Sequence, residues 1–123
     1  SRQMKKTILL VDNEIDVQNR YFLQAGYDVL VAHDGKEGLE LFRKKSIDLI
    51  ITDIMMPNMN GYDFISEVQY IAPNQPFLFT TAKTSEQDKI YGLSLGGYDF
   101  IAKPFSLREL VLRVNNILRH LSR

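Results

Sequence analysis

Five short apolar runs alternate with longer amphipathic stretches, and this alternation limits the possible folds more than any other feature of the chain. The runs occupy residues 7–11, 27–31, 49–52, 77–81 and 100–102. Two of them are apolar almost throughout, which is typical of strands covered on both faces of a parallel sheet. The intervening segments have the length of a crossover helix. The pattern predicts five strands and five helices in strict alternation, a (βα)5 unit with a parallel sheet and right-handed crossovers.

Turn and capping residues mark the ends of the predicted helices. Gly26 ends the first helix, residues 34–35, 60–61 and 84–85 open the next three, and Ser106 opens the fifth. Leu112 lies opposite the apolar stripe of the fifth helix, so it is either a lone exposed leucine or part of a partner surface. The stripe itself consists of Leu107, Leu110, Val111, Val114, Ile117, Leu118 and Leu121.

Composition indicates a single globular domain without a nucleic-acid or membrane partner of its own. Of the 123 residues, 45% are hydrophobic and 24% charged, near the averages for soluble proteins. Fifteen basic residues balance fifteen acidic ones, which removes the main electrostatic reason to bind nucleic acid or an anionic membrane. The absence of cysteine excludes a disulfide framework and a thiolate zinc site. We expect the domain to span residues 4–121, with residues 1–3 a vector remnant.

Polar residues follow the predicted strands at the edge of the sheet where sites form in open parallel folds. They are Asp12 and Asn13 after the first strand, Asp53 after the third, Thr81 at the end of the fourth and Lys103 after the fifth. Each alone has an ordinary explanation. Asp12 or Asn13 could cap the first helix, Asp53 could begin an Asx-turn, and Lys103 could be solvated. Their convergence on one rim indicates a functional site.

The chemistry of this set points to phosphoryl transfer. Neighbouring carboxylates repel each other unless a cation or a proton lies between them. Oxygen ligands suit a hard cation such as Mg²⁺, which binds one or two carboxylates together with phosphate oxygens. A carboxylate can also attack phosphorus to give an aspartyl phosphate, and a lysine, a hydroxyl and Mg²⁺ would then contact the transferred group. The residues therefore predict a phosphoryl-accepting site.

Four segments of the sequence resemble the receiver domain of bacterial two-component response regulators. A D-x-x-M-P-x-x-x-G motif begins at Asp53 and a K-P-F motif at Lys103, and residues 11–14 and 80–83 complete the resemblance. It runs from about Lys5 to Leu121. The resemblance implies a flavodoxin-like α/β fold, a three-layer sandwich whose five-stranded parallel sheet has the order 2-1-3-4-5. It also implies a cytoplasmic signalling domain.

The resemblance implies a phospho-acceptor and a metal site. Asp53 is the expected acceptor of a phosphoryl group from the phosphohistidine of a sensor histidine kinase. Asp12, Asn13 and Asp53, with the main-chain carbonyl of Met55, are expected to hold Mg²⁺. The domain would catalyse only its own phosphorylation and dephosphorylation, so it is not expected to be an enzyme with a small-molecule substrate.

The resemblance also implies a switch. Lys103 is expected to pair with the phosphoryl group, and Thr81 to supply the hydroxyl that moves towards it. Phe100 matches the aromatic residue whose rotamer follows that threonine. An apolar Met55, two residues after Asp53, cannot orient an attacking water, so we expect a fairly long-lived phosphoryl state.

Two positions depart from the family pattern. Asn13 stands where the family usually has a second acid, and the missing charge predicts weaker Mg²⁺ binding. A unit-charge contact at ~4 Å is worth about 4 kcal/mol at an effective dielectric near 20, before desolvation reduces it. Residues 97–99 read Gly-Tyr-Asp where the family often has Ala-Asp-Asp, which leaves one charge fewer on the expected dimer surface.

That surface comprises the fourth helix, the fifth strand and the fifth helix, through which the receivers of one subgroup pair. The fifth helix resembles that of regulators that drive winged-helix DNA-binding domains, so we expect DNA contact only through an output domain outside this chain. The alternative is a solvated face that adds almost nothing to stability. The expected contacts are Lys89, Asp99, Glu109 and Arg113 as salt-bridge members and Leu112 in an apolar patch.

Three other functions compete with this interpretation. A degenerate receiver, weakened by Asn13, would act as a phosphorylation-independent interaction module. An aspartyl-phosphate phosphatase would resemble D-x-D-x-[TV], with a second aspartate two residues after its nucleophile, but Glu14 stands at that spacing from Asp12 and Met55 from Asp53. A nucleotide- or flavin-binding module would need a glycine-rich or hydroxyl-rich phosphate loop after the first strand, where this chain is acidic.

Overall fold

A computed structural model describes residues 5–83 and 85–122 of the chain. In these ranges five strands and five helices alternate, as the apolar pattern predicts. The strands are β1 (Thr7–Val11), β2 (Asp28–Ala32), β3 (Leu49–Asp53), β4 (Phe77–Thr81) and β5 (Phe100–Ala102). The helices are α1 (Asp16–Gln24), α2 (Gly35–Lys44), α3 (Gly61–Ile71), α4 (Glu86–Ser94) and α5 (Leu107–Leu121). The suggested vector remnant at residues 1–3, the domain start at Met4 and the Thr84 part of the fourth helix start lie outside the described residues.

The strands form one parallel sheet in the order β2-β1-β3-β4-β5, which confirms the expected flavodoxin-like order. The order reverses at β1, since β2 lies on one side of it and β3 on the other. In such sheets a crevice opens outside the carboxyl ends of the strands near the reversal. The topology therefore brings the ends of β1 and β3 side by side.

The sheet is buried on both faces, which explains its apolar strands. In β1, Ile8 and Leu10 face a core shared with α1 and α5, whereas Leu9 and Val11 face a core shared with α2 and α3. All four side chains are fully buried. Because successive residues of a strand point to opposite faces, an unbroken apolar run is what a strand in the middle layer of three requires.

Helix starts follow the predicted capping residues. The side chains of Asp34, Asn60, Ser85 and Ser106 each accept a hydrogen bond from the backbone amide three residues further on. At the end of α1, Gly26 adopts a φ of 96°, which glycine tolerates without steric cost. These contacts join residues within three positions of each other, so the sequence alone predicts them.

Three expected boundaries and exposures differ from the structure. β2 spans Asp28–Ala32 rather than residues 27–31, because the Tyr27 amide donates to the Phe22 carbonyl of α1 at 3.1 Å and not to a neighbouring strand. β3 includes Asp53. Leu121, the last member of the predicted stripe, is 40% exposed since α5 continues beyond the core there. Within the described residues, no helix is both long and apolar enough to cross a membrane.

Candidate functional site

A lysine and two buried aspartates meet at the carboxyl edge of the sheet. The Lys103 ammonium lies 2.8 Å from Asp12 Oδ2 and 3.1 Å from Asp53 Oδ2. Asp12 is only 2% exposed and Asp53 8%. The three residues come from the ends of β1, β3 and β5, separated by up to 91 positions in the chain. One cation therefore compensates two carboxylates that would otherwise repel each other.

Backbone groups hold the Asp53 carboxylate at the end of β3. Its Oδ1 accepts hydrogen bonds from the amides of Ile54, at 2.7 Å, and Met55, at 3.4 Å. The loop that follows closes where the Gly61 amide donates to the Ile54 carbonyl at 2.7 Å. A Cβ atom at Gly61 would lie 2.2 Å from the Asp53 carbonyl oxygen, so only glycine allows α3 to begin this close to Asp53. The Asx-type contact to Met55 thus exists, but within a larger site.

The Asp12 carboxylate is fixed from three directions. Its Oδ1 accepts from the Glu14 amide at 2.9 Å, and its Oδ2 accepts from Gln18 Nε2 at 3.4 Å as well as from Lys103. Helix α1 begins after Ile15 without a side-chain cap, so the helix-capping explanation of Asp12 is wrong. Gln18 is a site residue that sequence reasoning missed. Its signal was a polar side chain one turn before the core residue Phe22 on the buried face of α1.

Burial and charge act in opposite directions on the two ionisable partners. Burial raises the pKa of Asp53, and the nearby Lys103 only partly counters this, while the Asp12 charge raises it further. For Lys103, burial lowers the pKa, but the contacts with Asp12 and Asp53 outweigh it and leave the pKa above its ordinary value. Lys103 is therefore a charged ammonium, whereas burial disfavours the ionised form of Asp53.

Thr81 lies at the same edge with its hydroxyl hydrogen available for donation. Asp53 pairs in register with Thr80 across β3 and β4, so Thr81 is one position further towards the edge. Thr81 is fully buried, and its Oγ1 accepts a hydrogen bond from the Lys83 amide at 2.9 Å. Because Oγ1 is the acceptor in that bond, its own proton can be donated elsewhere.

Phe100 lies inward, beneath α4. It is 8% exposed, and its ring centroid is 6.3 Å from that of Phe79. A Cβ atom at Gly92 would lie 2.8 Å from Phe100 Cδ2, so the glycine in α4 makes room for the aromatic ring. The position of Phe100 and that of α4 are thus mutually dependent.

The oxygen donors at this edge fit a magnesium ion. Asp12 and Asp53 supply carboxylates, and Asn13 is exposed and lines an open cleft of about 790 Å³ together with Lys103. Met55, whose main-chain carbonyl is the remaining expected ligand, lies in the loop after Asp53. Across the described ranges no group of three His, Cys, Asp or Glu residues could hold a metal. An all-oxygen set with two carboxylates still matches the preferences of Mg²⁺.

Three of the four residues expected to bridge two receivers pair within this chain. Arg113 Nη1 lies 2.7 Å from Asp99 Oδ2, and Arg113 Nε lies 3.2 Å from Glu109 Oε2. The side-chain contact with Asp99 and its charge raise the pKa of Arg113. Lys89 is exposed on α4, and Leu112 is 56% exposed on α5. Further exposed apolar residues near these elements are Ile90, Tyr91, Leu93 and Tyr98.

Comparison with known proteins identifies a family for this arrangement. The sequence model of the response regulator receiver domain matches residues 8–115. The response regulator SaeR of Staphylococcus aureus is 44% identical over 119 residues, covering 94% of this chain and 52% of that protein. The chain thus spans about half the length of the curated relatives it matches.

Solved structures agree with the fold and the family. The non-phosphorylated HemR receiver domain from Leptospira biflexa has a TM-score of 0.87 and 32% identity, covering 93% of this chain and 94% of that one. The receiver domain of the Francisella response regulator 1452 has a TM-score of 0.88 and 32% identity, covering 95% of this chain and 99% of that one.

Proposed function

Because the chain belongs to the response regulator receiver domain family, we propose that Asp53 accepts a phosphoryl group from a sensor histidine kinase. The chain is a receiver domain of a two-component response regulator. The observation that carries the assignment to Asp53 is the Lys103 ammonium held between the Asp12 and Asp53 carboxylates. This arrangement combines a nucleophile with a positive charge aimed at the oxygens of an incoming phosphoryl group.

Apart from Mg²⁺, the proposed transfer needs no group beyond the two proteins. An Asp53 carboxylate oxygen attacks the phosphorus atom of phosphohistidine, the O–P bond forms, and the P–N bond breaks with its electrons going to the imidazole. Lys103 contacts the transferred oxygens, and the Thr81 hydroxyl donates a hydrogen bond to one of them. The domain then catalyses only its own phosphorylation and the later hydrolysis, with no small-molecule substrate turned over.

Receiver domains generally use Mg²⁺ for this reaction, and the finer proposal is the ligand set. Asp12, Asn13 and Asp53, with the Met55 carbonyl, would hold the ion. When bound, Mg²⁺ neutralises negative charge on the phosphoryl oxygens. Asn13 contributes an uncharged oxygen, so we propose a functional site with reduced affinity for the metal.

The output proposal concerns the face formed by α4, β5 and α5. We propose that phosphorylation changes this face and promotes a homodimer, with Lys89, Asp99, Glu109 and Arg113 in salt bridges and Leu112 in the apolar patch. DNA binding would belong to an output domain in the half of the relatives' length that this chain does not span. Phe100 supports the proposal because its place under Gly92 ties β5 to α4.

Intact mass spectrometry after incubation with acetyl phosphate tests the proposed acceptor. We expect a gain of one phosphoryl group that requires Mg²⁺ and is absent in Asp53→Asn. Asp28→Asn, the same change at an exposed aspartate of β2, should still be phosphorylated.

Failure to gain a phosphoryl group from acetyl phosphate would be followed by a phosphorylated histidine-kinase fragment as donor. No transfer from either donor at high Mg²⁺ would overturn the proposal and favour the degenerate receiver. Uptake that persists in Asp53→Asn would place the acceptor at another residue.

A further inference from the structure

Helix α4 is the least firmly packed of the elements that form the output face. Gly92 is its only buried residue, whereas Ile90 is 60% and Tyr91 50% exposed. A helix with so little buried apolar surface gains little stability from packing. Individual contacts from neighbouring elements therefore decide where it lies.

Helix α3 contacts both ends of α4. Near the C-terminal end, Gln69 Nε2 donates to the Leu95 carbonyl at 2.7 Å. At the N-terminal end, the Tyr62 hydroxyl lies 3.4 Å from Asp88 Oδ1 and 3.5 Å from the Asp88 carbonyl oxygen. The Tyr62 ring also meets Tyr91 edge-on, with 4.8 Å between centroids. Because Tyr62 and Gln69 are seven residues apart, they lie on the same face of α3.

Tyr62 is connected directly to the proposed phospho-acceptor. It follows Gly61, the residue that packs against the Asp53 carbonyl. Burial raises the pKa of Tyr62 and the Asp88 charge raises it further, so the phenol is protonated and acts as the donor. Movement at the start of α3 would be transmitted to Asp88 in the first turn of α4.

Asp88 is also linked to Thr81, through Lys83. Its Oδ2 accepts from Ser85 Oγ at 2.7 Å, and its Oδ1 lies 4.0 Å from Lys83 Nζ. The Lys83 amide is in turn bonded to Thr81 Oγ1. One carboxylate in α4 is thus linked to the β4–α4 loop on one side and to α3 on the other.

We propose that the Tyr62–Asp88 contact is a latch that holds the first turn of α4 in the resting domain and links it to the Asp53 loop by a route separate from Thr81 and Phe100. Tyr62 is then a positioning residue and not part of the phosphoryl-transfer chemistry. The role of the latch in signalling rests on the proposed function, whereas the restraint on α4 in the resting state does not.

Hydrogen exchange of the 123-residue chain, resolved by peptide, tests the latch. Tyr62→Phe keeps the ring packing and removes the hydroxyl, so exchange in α4 should become about fivefold faster in the untreated protein, as expected for loss of one hydrogen bond. Exchange in α1 and α5 should not change. Tyr70→Phe is the matched control, since Tyr70 lies on the same helix and is 88% exposed.

A second variant separates a latch from a general loss of stability. Asp88→Asn weakens the same contact, so the double variant with Tyr62→Phe should speed α4 exchange by less than the product of the two single effects. Unchanged α4 exchange in Tyr62→Phe, an equal rise in all helices, or fully multiplicative effects would each overturn the latch.

Acetyl phosphate and Mg²⁺ added to the same samples test the link to signalling. Tyr62→Phe should take up the phosphoryl group at a rate within about twofold of the parent chain, while the further rise in α4 exchange on phosphorylation becomes smaller. Intact mass distinguishes the two proposals. No phosphoryl gain in any variant, either from acetyl phosphate or from the phosphorylated histidine-kinase fragment, would contradict the proposed function, and the latch would still be decided by exchange in the untreated protein.

Discussion

At the scale of single residues, the site holds two acids in surroundings that oppose their ionisation. Asp12 and Asp53 are buried with one ammonium between them, an arrangement that contributes little net stability because desolvation offsets the ion pairs. The raised pKa of Asp53 has the same cause, since burial opposes its ionisation. The same charge arrangement is what a phosphoryl-accepting site needs, so function and stability are in opposition at this position.

Replacing Asn13 by aspartate should strengthen Mg²⁺ binding. Asn13→Asp restores a charged oxygen ligand next to Asp12, and we expect the Kd for Mg²⁺ to fall about tenfold, a small part of the unscreened Coulomb energy. Isothermal titration calorimetry measures this without any phosphorylation step. Asn19→Asp, the same change on α1, is the control. An unchanged Kd would show that Asn13 is not a ligand.

The stability of the chain should respond to the ionisation of Asp53. Burial raises the pKa of Asp53 in the folded chain above the ordinary 3.8. At a pH between the unfolded-state pKa and the folded-state pKa, the folded chain therefore binds more protons than the unfolded chain. Stability is therefore lost as the pH rises through this window. Asp53→Asn should raise the free energy of unfolding at neutral pH by on the order of 1 kcal/mol, in urea denaturation without Mg²⁺.

This stabilisation by Asp53→Asn should shrink as the pH falls towards about 4, where the parent carboxyl becomes protonated. Asp28→Asn should show no such dependence. If Asp53→Asn is less stable than the parent chain at neutral pH, the contact between Asp53 and Lys103 outweighs the cost of burying the Asp53 carboxylate.

At the scale of elements, the fit between α4 and β5 depends on Gly92. Alanine favours a helix over glycine by about 1 kcal/mol, but its Cβ would lie 2.8 Å from the Phe100 ring. We therefore expect Gly92→Ala to destabilise the chain by about 1–2 kcal/mol through overpacking, measured by thermal or urea denaturation.

A smaller side chain at position 100 should recover part of the stability that Gly92→Ala loses. Adding Phe100→Leu to Gly92→Ala should restore part of the loss, whereas Gln87→Ala, at an exposed site of the same helix, should have little effect. A stabilised Gly92→Ala chain would show that α4 can shift away from β5 without cost.

At the scale of the whole molecule, the Arg113 contacts should matter for association and not for folding. Arg113 pairs with Asp99 and Glu109 while its side chain is 45% exposed, and such pairs contribute roughly 0–1 kcal/mol. Arg113→Ala should therefore unfold within about 1 kcal/mol of the parent chain. Sedimentation equilibrium of the phosphorylated protein should nevertheless show a much smaller dimer fraction. Arg43→Ala, on α2, should dimerise like the parent, and equal dimer fractions in the two variants would exclude Arg113 from the interface.

The sequence by itself determined the elements, the family and the residues at the sheet edge. Each of these signals involves only a few neighbouring positions. They are the strand and helix periods, the capping side chains at Asp34, Asn60 and Ser106, and the motifs beginning at Asp53 and Lys103. Such local signals need no knowledge of packing. The motifs also carry information about the strand order, because their resemblance extends over nearly the whole chain.

Only the tertiary structure decided how these residues meet. It shows that Gln18 donates to Asp12 and that the Tyr62 hydroxyl contacts Asp88. It also shows that Arg113 forms an ion pair with Asp99 of the same chain. It also corrects the start of β2 and the exposure of Leu121. Each of these facts depends on how far a helix has turned and moved against the sheet, which is set by the packing of side chains distant in sequence. A periodic pattern states which face of a helix is buried, but it does not state which residue of another element lies opposite.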